Sequence, residues 1–371
     1  MSIEVVLNKT IQIKQNYGSI LFLIFLVVFL NSRKLSSISW NMTTITLKKI
    51  SQVLGLSIST VSRALKDHPD ISVKTKQRVM DLAKTLDYEP NANAINLRTS
   101  KSKIFGLIVP HISNYFYESF ISAVEEESRL HGYSLMILQS GDDPQIEMDN
   151  FKLCRQNRVM GLFICISPKT KDIEHFIRFS EFNTPVVFFD KVPSNLLCNK
   201  VCFADADAAI IAAKKIIQKK KKNVLAIFGD KDHSITQKRE AAFKSEFQNK
   251  NDDTKLIIEH VSSAEEARNV CYKYCRSKNK PDTVFCMSDE TLTGVMKTLQ
   301  EMHLKVPNDI AVIAISNGFF PKLFFPEITY IETNGYKLGK LAFGKMLACL
   351  AGETTTSELI QESLLVEGGS I

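Results

Sequence analysis

The chain has 371 residues, of which 44% are hydrophobic and 23% charged, and a formal net charge of +7. That length exceeds one small core and calls for two or three units of ~100–200 residues each. The composition is that of an ordinary globular protein, which excludes a disordered or fibrous chain. The basic excess is concentrated: between Thr44 and Lys101, ten Lys and Arg stand against five Asp and Glu, a balance of +5. Such a stretch suits a polyanionic partner, although a solvated basic surface has the same composition. The eight cysteines form no C-x-x-C pair. Cys271 and Cys275 lie one helical turn apart without a second ligand pair at zinc spacing, and Cys154, Cys165 and Cys286 sit in apolar runs. They read as reduced, mostly buried thiols of a cytoplasmic protein, with no metal site and no cofactor.

In chain order, the first feature is the apolar run 20–30. It is shorter than the ~20 residues of a spanning helix. Its length suits a signal-peptide core, but no A-x-A cleavage site follows.

Thr46 is a good N-cap, and Leu47, Ile50, Val53 and Leu54 recur at the spacing of one helical face. Gly55 supplies a left-handed stop. Ser57 caps a second helix running from Ile58 to about Leu65, and Ser72 a third with Val79, Leu82, Ala83 and Leu86 inward. Two short helices joined by a three-residue, Gly-containing turn, with a third behind, make a helix-turn-helix unit. Its second helix is the one that enters a major groove, with Ile58, Ser59, Thr60, Ser62 and Arg63 outward. Arg63 suits a guanine edge, and the hydroxyls of Ser57, Thr60 and Ser62 suit phosphates or bases. Any three-helix bundle shows this periodicity, so spacing alone leaves DNA binding open.

From Lys103 onward the chain alternates. Strands are expected at 104–109, 134–139, 161–166, 185–189, 201–203, 223–228, 256–260, 283–286 and 310–315. Helices are expected to fill the gaps between them, for example at 116–131, 206–217, 237–247, 264–273, 292–302 and 336–350. Continuous apolar strands between helices indicate parallel sheets covered on both faces, and the stretch is long enough for two. Lys219–Lys222 reads as a solvated loop. No P-loop, G-x-S-x-G or H-E-x-x-H motif is present and the seven histidines are scattered, so no enzyme is expected. Asp205 and Asp207 have the spacing of a helix cap followed by a first-turn carboxylate.

The run from Thr46-Leu47 through Gly55-Leu56-Ser57 to Thr60-Val61-Ser62-Arg63-Ala64-Leu65 resembles the N-terminal signature of the lactose/galactose repressor family. Val73–Val79 and Leu86–Ala92 continue the likeness. Lys49 stands for the usual Asp, Ser51 and Leu54 for alanines, and Lys66 for Asn. In the body, Phe188-Phe189-Asp190-Lys191, Arg239 with Phe243, Ser288-Asp289, Ile328-Thr329-Tyr330-Ile331 and Gly339 stand at family landmarks, with Ala242 in place of a Gly and Ser288 in place of an Asn.

The resemblance implies an all-α helix-turn-helix DNA-binding head followed by an α/β two-lobed periplasmic-binding-protein-like domain with parallel sheets. The implied layout is an N-terminal extension 1–43, a head 44–90, a hinge helix or linker 91–102 and an effector-binding and dimerisation domain 103–371. It makes Thr46, Ser57, Ile58, Ser59, Thr60, Ser62, Arg63, Asn91, Ala94 and Leu97 the DNA-binding set. Within that set, Leu97 is a minor-groove wedge and Ala94 the small residue where paired hinges pack. It places Phe116, Tyr117, Asp190, Arg239 and Asp289 around the effector, with Arg239 and Asp289 as an opposed pair suited to sugar hydroxyls. The implied partners are double-stranded operator DNA, a small effector of sugar type and a second copy of the chain, with no membrane. A family regulator normally begins where Met42 stands, so translation from Met42 is expected, with a membrane-tethered regulator as the rival. The rival function is an exported or membrane-associated sugar-binding receptor.

Overall fold

The computed structural model describes residues 46–89, 102–181, 184–194, 197–249 and 254–371. They fall into two separately packed units, divided between Ile95 and Asn96.

The first unit is three helices: α1 (Leu47–Leu54), α2 (Ile58–Ala64) and α3 (Val73–Thr85). Thr46, Ser57 and Ser72 cap them, each accepting from the backbone N–H three residues on. Gly55 ends α1 at φ 65°, a conformation that costs an L side chain about 1–2 kcal/mol. Ile50, Val61, Ala64, Val79 and Ala83 form the buried centre. Val53 departs from expectation: it is 56% exposed. Three residues per step gain 300° on a helix, so it lies 60° behind Ile50 and outside the inward stripe.

The second unit has two six-stranded sheets. In the first lobe they are β1 (Ile104–Val109), β2 (Ser134–Gln139), β3 (Gly161–Ile164), β4 (Val186–Phe189), β5 (Asn199–Phe203) and β11 (Glu358–Gln361), in the order β11-β5-β4-β3-β1-β2. The second lobe has β6 (Asn223–Phe228), β7 (Lys255–His260), β8 (Thr283–Cys286), β9 (Ala311–Ser316), β10 (Thr329–Glu332) and β12 (Leu364–Val366), in the order β12-β10-β9-β8-β6-β7. Every pairing is parallel except β10 with β12. Helices α4 (Tyr115–Leu130), α5 (Pro144–Gln156), α6 (Glu174–Glu181) and α11 (Gly335–Leu350) pack on the first sheet. Helices α7 (Asp205–Gln218), α8 (Ser234–Asn249), α9 (Ala264–Cys275) and α10 (Asp289–Glu301) pack on the second. Parallel strands buried on both faces read as unbroken apolar runs, which is why β1, β3, β4 and β9 were legible in the sequence.

The chain passes between the lobes where β5 leads into α7, where β10 leads into α11, and where β11 leads into β12. Strands β10, β11 and β12 go beyond the sequence reading, while α5 and α6 fill gaps between strands for which it gave no helix bounds. Strand β3 is shorter than expected and stops at Ile164. Seven of the eight cysteines are buried and all are free thiols.

Helix α10 lies on α9 so closely that a Cβ at Gly294 would stand 2.1 Å from the Ala264 carbonyl oxygen. Overpacking of this kind costs about 1–3 kcal/mol, more than the ~1 kcal/mol that alanine gains in helix propensity. Gly294→Ala should therefore lower the melting temperature in a thermal scan. An unchanged or raised value would show that the two helices separate freely.

Candidate functional site

On the head, α2 presents Ile58, Ser59 and Arg63 as exposed side chains, with Thr60 and Ser62 partly covered. Ser57 also serves the cap: its Oγ accepts from Thr60 N at 3.0 Å and lies 2.7 Å from Ser59 Oγ and 2.8 Å from Thr60 Oγ1. Arg63 is 3.7 Å from Asp70, but both side chains are more than half exposed. Such a pair is worth about 0–1 kcal/mol and releases the guanidinium readily. Thr46 is exposed at the start of α1. Asn91, Ala94 and Leu97 lie outside the described residues.

In the second unit a cavity of about 480 Å³ opens between the lobes, at the carboxyl ends of the sheet strands. Phe116, Tyr117, Asp190, Arg239 and Asp289 all line it, the first three from one lobe and the last two from the other. Phe116 and Tyr117 open α4, whose N-cap Asn114 accepts from Phe116 N at 3.0 Å. The Phe116 ring meets Phe203 edge-on at 5.9 Å. Asp190 follows β4 at φ 59°, a left-handed backbone that Asp tolerates better than most residues. Its Oδ2 accepts from the Tyr117 hydroxyl at 2.7 Å and lies beside the Cys165 thiol. Burial pushes the Asp190 carboxyl above its ordinary value, while the Tyr117 hydrogen bond and the nearby Lys191 charge pull the other way. Burial also raises the Tyr117 hydroxyl, with the Asp190 and Cys165 charges adding to it.

Arg239 and Asp289 share the cavity but are not partners. Arg239 Nε and Nη2 donate to Asp205 Oδ1 at 3.0 and 2.8 Å, and Nη1 donates to the Met287 carbonyl at 3.1 Å. Three donors of the guanidinium are thus engaged, which leaves two of its five for a ligand. Asp205 was read as a helix cap, yet α7 begins after Ala204 without a side-chain cap, and the Asp205 carboxylate serves Arg239. Asp289 opens α10 after the Ser288 cap. It accepts from Asn317 N at 2.9 Å and from Ser316 Oγ, and burial raises its carboxyl.

Asn317 is a residue that sequence reasoning missed. Its Oδ1 accepts from Gly335 N at 2.8 Å and Ser119 Oγ at 3.3 Å, and its Nδ2 donates to the Tyr115 carbonyl at 3.3 Å. It therefore ties the end of β9 to the starts of α4 and α11 in the other lobe. Tyr115 adds a stack on Phe319 at 5.5 Å and an edge contact with Phe320 at 4.5 Å. No single-residue signal marks Asn317, because its partners are remote in sequence. Among the described residues no cluster of three or more His, Cys, Asp or Glu is arranged to hold a metal, and no helix is long and apolar enough to cross a membrane.

Comparison with known proteins matches residues 46–91 to "Bacterial regulatory proteins, lacI family" and residues 213–371 to "Periplasmic binding protein-like domain". The HTH-type transcriptional repressor PurR of Vibrio vulnificus is 25% identical over 304 residues, covering 81% of this chain and 91% of that protein. The HTH-type transcriptional regulator RegA of Clostridium saccharobutylicum is 24% identical over 308 residues, covering 82% and 92%. Among solved structures, the lac repressor dimer bound to operator and the anti-inducer ONPF is similar with a TM-score of 0.78, at 18% identity over 88% of this chain and 98% of that one. A periplasmic binding protein/LacI transcriptional regulator from Alkaliphilus metalliredigens, complexed with D-xylulofuranose, is similar with a TM-score of 0.63, at 22% identity over 72% and 99%.

Two outcomes follow from the cavity's electrostatics. Arg239→Ala strands the buried Asp205 carboxylate, an error that costs about 3–5 kcal/mol. Denaturant unfolding should show that loss, and Arg239→Met combined with Asp205→Leu should recover most of it. A double variant as unstable as the single one would show that the pair is not the cause. A carboxyl whose folded-state pKa is raised gives stability that is full below its unfolded value and is lost as pH rises through the folded one. Asp190→Asn removes that loss and keeps an oxygen for Tyr117. Over a pH range that starts at the ordinary carboxylate value of about 4 and rises from there, its melting temperature should therefore gain on the parent. A constant difference across that range would remove the Asp190 charge as the source.

Proposed function

Because the chain belongs to the lacI family of bacterial regulatory proteins, a family of regulators and not of enzymes, we propose that it is a homodimeric repressor that a sugar-type effector controls. It is a DNA-binding transcription regulator with a ligand-binding domain. In the proposed assembly two copies of α2 enter successive major grooves of a near-palindromic operator in the cytoplasm, about 34–36 Å apart. Arg63 reads a base edge, and Thr46, Ser57 and Ser59 meet phosphates near the helix N-terminus. Residues 91–102 form the hinge, with Asn91 at its start, Ala94 at the pairing of the two hinges and Leu97 as the wedge. Exposed Ile137 on edge strand β2, with Ile146 and Leu153 on α5, supplies an apolar face for the second copy.

The cavity carries the effector reading. Asp190 and Asp289 accept and Arg239 donates, which matches the paired donor and acceptor character of sugar hydroxyls. Phe116, Phe203 and Phe320 supply faces for the apolar side of a ring. Effector acts by binding two lobe arrangements with different affinity, since equal affinity shifts nothing. An exported receptor would have no use for a capped α2 carrying Arg63.

The test is a gel shift of the full chain on its own upstream DNA with a panel of sugars. A shift that weakens steeply with salt and responds to one sugar is expected. Arg63→Ala should cost about 1–3 kcal/mol of operator affinity, and Asp289→Asn should blunt the sugar response. Absence of any shift at low salt would end the repressor reading, and a shift indifferent to every sugar would end the effector reading.

A further inference from the structure

A second cavity, of about 400 Å³, lies beyond Lys191, whose side chain lines both spaces. The loops after β3 and β4, strands β5 and β11, and the first turns of α8 enclose it. Its walls are polar, with hydroxyls and an amide from Ser167, Thr170, Ser234 and Gln237. Lys191 is already paired, its Nζ donating to Asp142 at 2.8 and 2.9 Å. Lys200 is different. It lines the cavity from β5 and is only 4% exposed, yet among the described residues no acceptor or carboxylate engages its ammonium. The residue across the strand pair, Glu358, accepts instead from the Cys202 thiol at 3.1 Å. Lys238 on α8 adds a further cation to the wall, and Asp232 and Glu358 are the carboxylates there.

A lysine this buried, with no ion pair of its own among the described residues, is stabilised by an anion brought to it. Here the ammonium borders a polar space of ligand size, in which the Ser167 and Thr170 hydroxyls already donate to the Asp142 carbonyl and to Glu147, so the lysines are the groups that face an anion. We propose that this cavity is an oxyanion subsite, in which Lys200 and Lys238 hold a carboxylate or phosphate group. The anion comes either on the effector, whose body lies in the first cavity and whose charged end passes Lys191, or as a separate small anion bound beside it. The first of these sources rests on the effector reading above; the subsite itself does not.

Titration calorimetry on the full chain tests this with inorganic phosphate, a set of sugar monophosphates and sugar acids, and their neutral parent sugars. One or more anionic probes should bind at least about tenfold more tightly than the neutral parent, the size of a charge-assisted contact. Lys200→Met should reduce that ratio by about tenfold, and Glu358→Gln, which removes a rival carboxylate, should increase it. Lys238→Met, at an exposed position, checks the ratio without risk to folding. Binding of inorganic phosphate that Lys200→Met weakens would identify the separate anion as the source. An advantage confined to sugar-linked anions would identify the effector. Neutral sugars binding while no anionic probe gains, or Lys200→Met melting as the parent does with an unchanged ratio, would overturn the subsite and leave the effector reading in place. Phosphate binding lost in Lys200→Met, with no sugar of either kind bound, would uphold the subsite and end the sugar reading.

Discussion

The sensor unit depends on one constraint: its chain passes between two parallel sheets at three places set side by side. Parallel strands need a crossover on each connection, so the loops that leave them gather at the carboxyl ends of the sheets. With both sheets linked through β5–α7, β10–α11 and β11–β12, those ends border a shared cleft. The cavity is thus a product of topology before any side chain is specified. What the side chains add is sign and shape, and they add it next to the crossings. Asp205 begins the helix after the first crossing, and Gly335 the helix after the second.

This placement makes the polar contacts serve two ends. Arg239 reaches from α8 to Asp205 at the first crossing, and Asn317 reaches from β9 to Gly335 at the second. A ligand that takes the two remaining donors of Arg239, or competes for Asp289 beside Asn317, perturbs groups that also hold the lobes. The Arg239–Asp205 pair is nearly fully buried, so losing either partner is expensive, and a ligand works with the free edge of the guanidinium. The contacts of Asn317 and the Tyr115–Phe319 stack are individually weak, of order 1 kcal/mol each. Among these contacts, they cost least to break.

The parts of this organisation that the sequence made legible are those with local physics. Caps at Thr46, Ser57 and Ser72, the left-handed Gly55 and the unbroken apolar strands each declare themselves within a few residues. The five cavity positions came from resemblance and do line one space. Their partners did not come with them, because a hydrogen bond between Asn317 and Ser119 joins positions 198 apart and leaves no periodic trace. Asp205 misled for a related reason: a carboxylate at a helix start looks like a cap whether it serves its own backbone or a guanidinium from another helix. Strands β11 and β12 are short and half exposed, so they lack the apolar run that marked the central strands. Helix α5 carried its signature in Asp143-Pro144, a cap followed by a proline at the first turn, but its buried polar residues Glu147 and Asn150 blurred the inward stripe.

Buried polar groups of this kind also distinguish the two ends of the cleft. At one end the buried charges have partners: Arg239 with Asp205, and Asp289 with Ser316 and Asn317. Asp190 holds the Tyr117 hydroxyl under the same roof. A neutral hydroxylated ligand of the kind proposed would find its hydrogen-bond donors and acceptors there already oriented. At the other end, among the described residues, Lys200 has no ion pair, and in the proposed subsite an anionic ligand would provide one. A molecule that spanned both ends would meet different physics at each: oriented hydrogen bonds near the crossings and charge neutralisation beyond Lys191. Only the arrangement of lobes that satisfies both is stabilised. Differential affinity of that sort is what couples a sensor to a DNA-binding head, because a ligand shifts a conformational equilibrium by no more than the difference in its affinity for the two states.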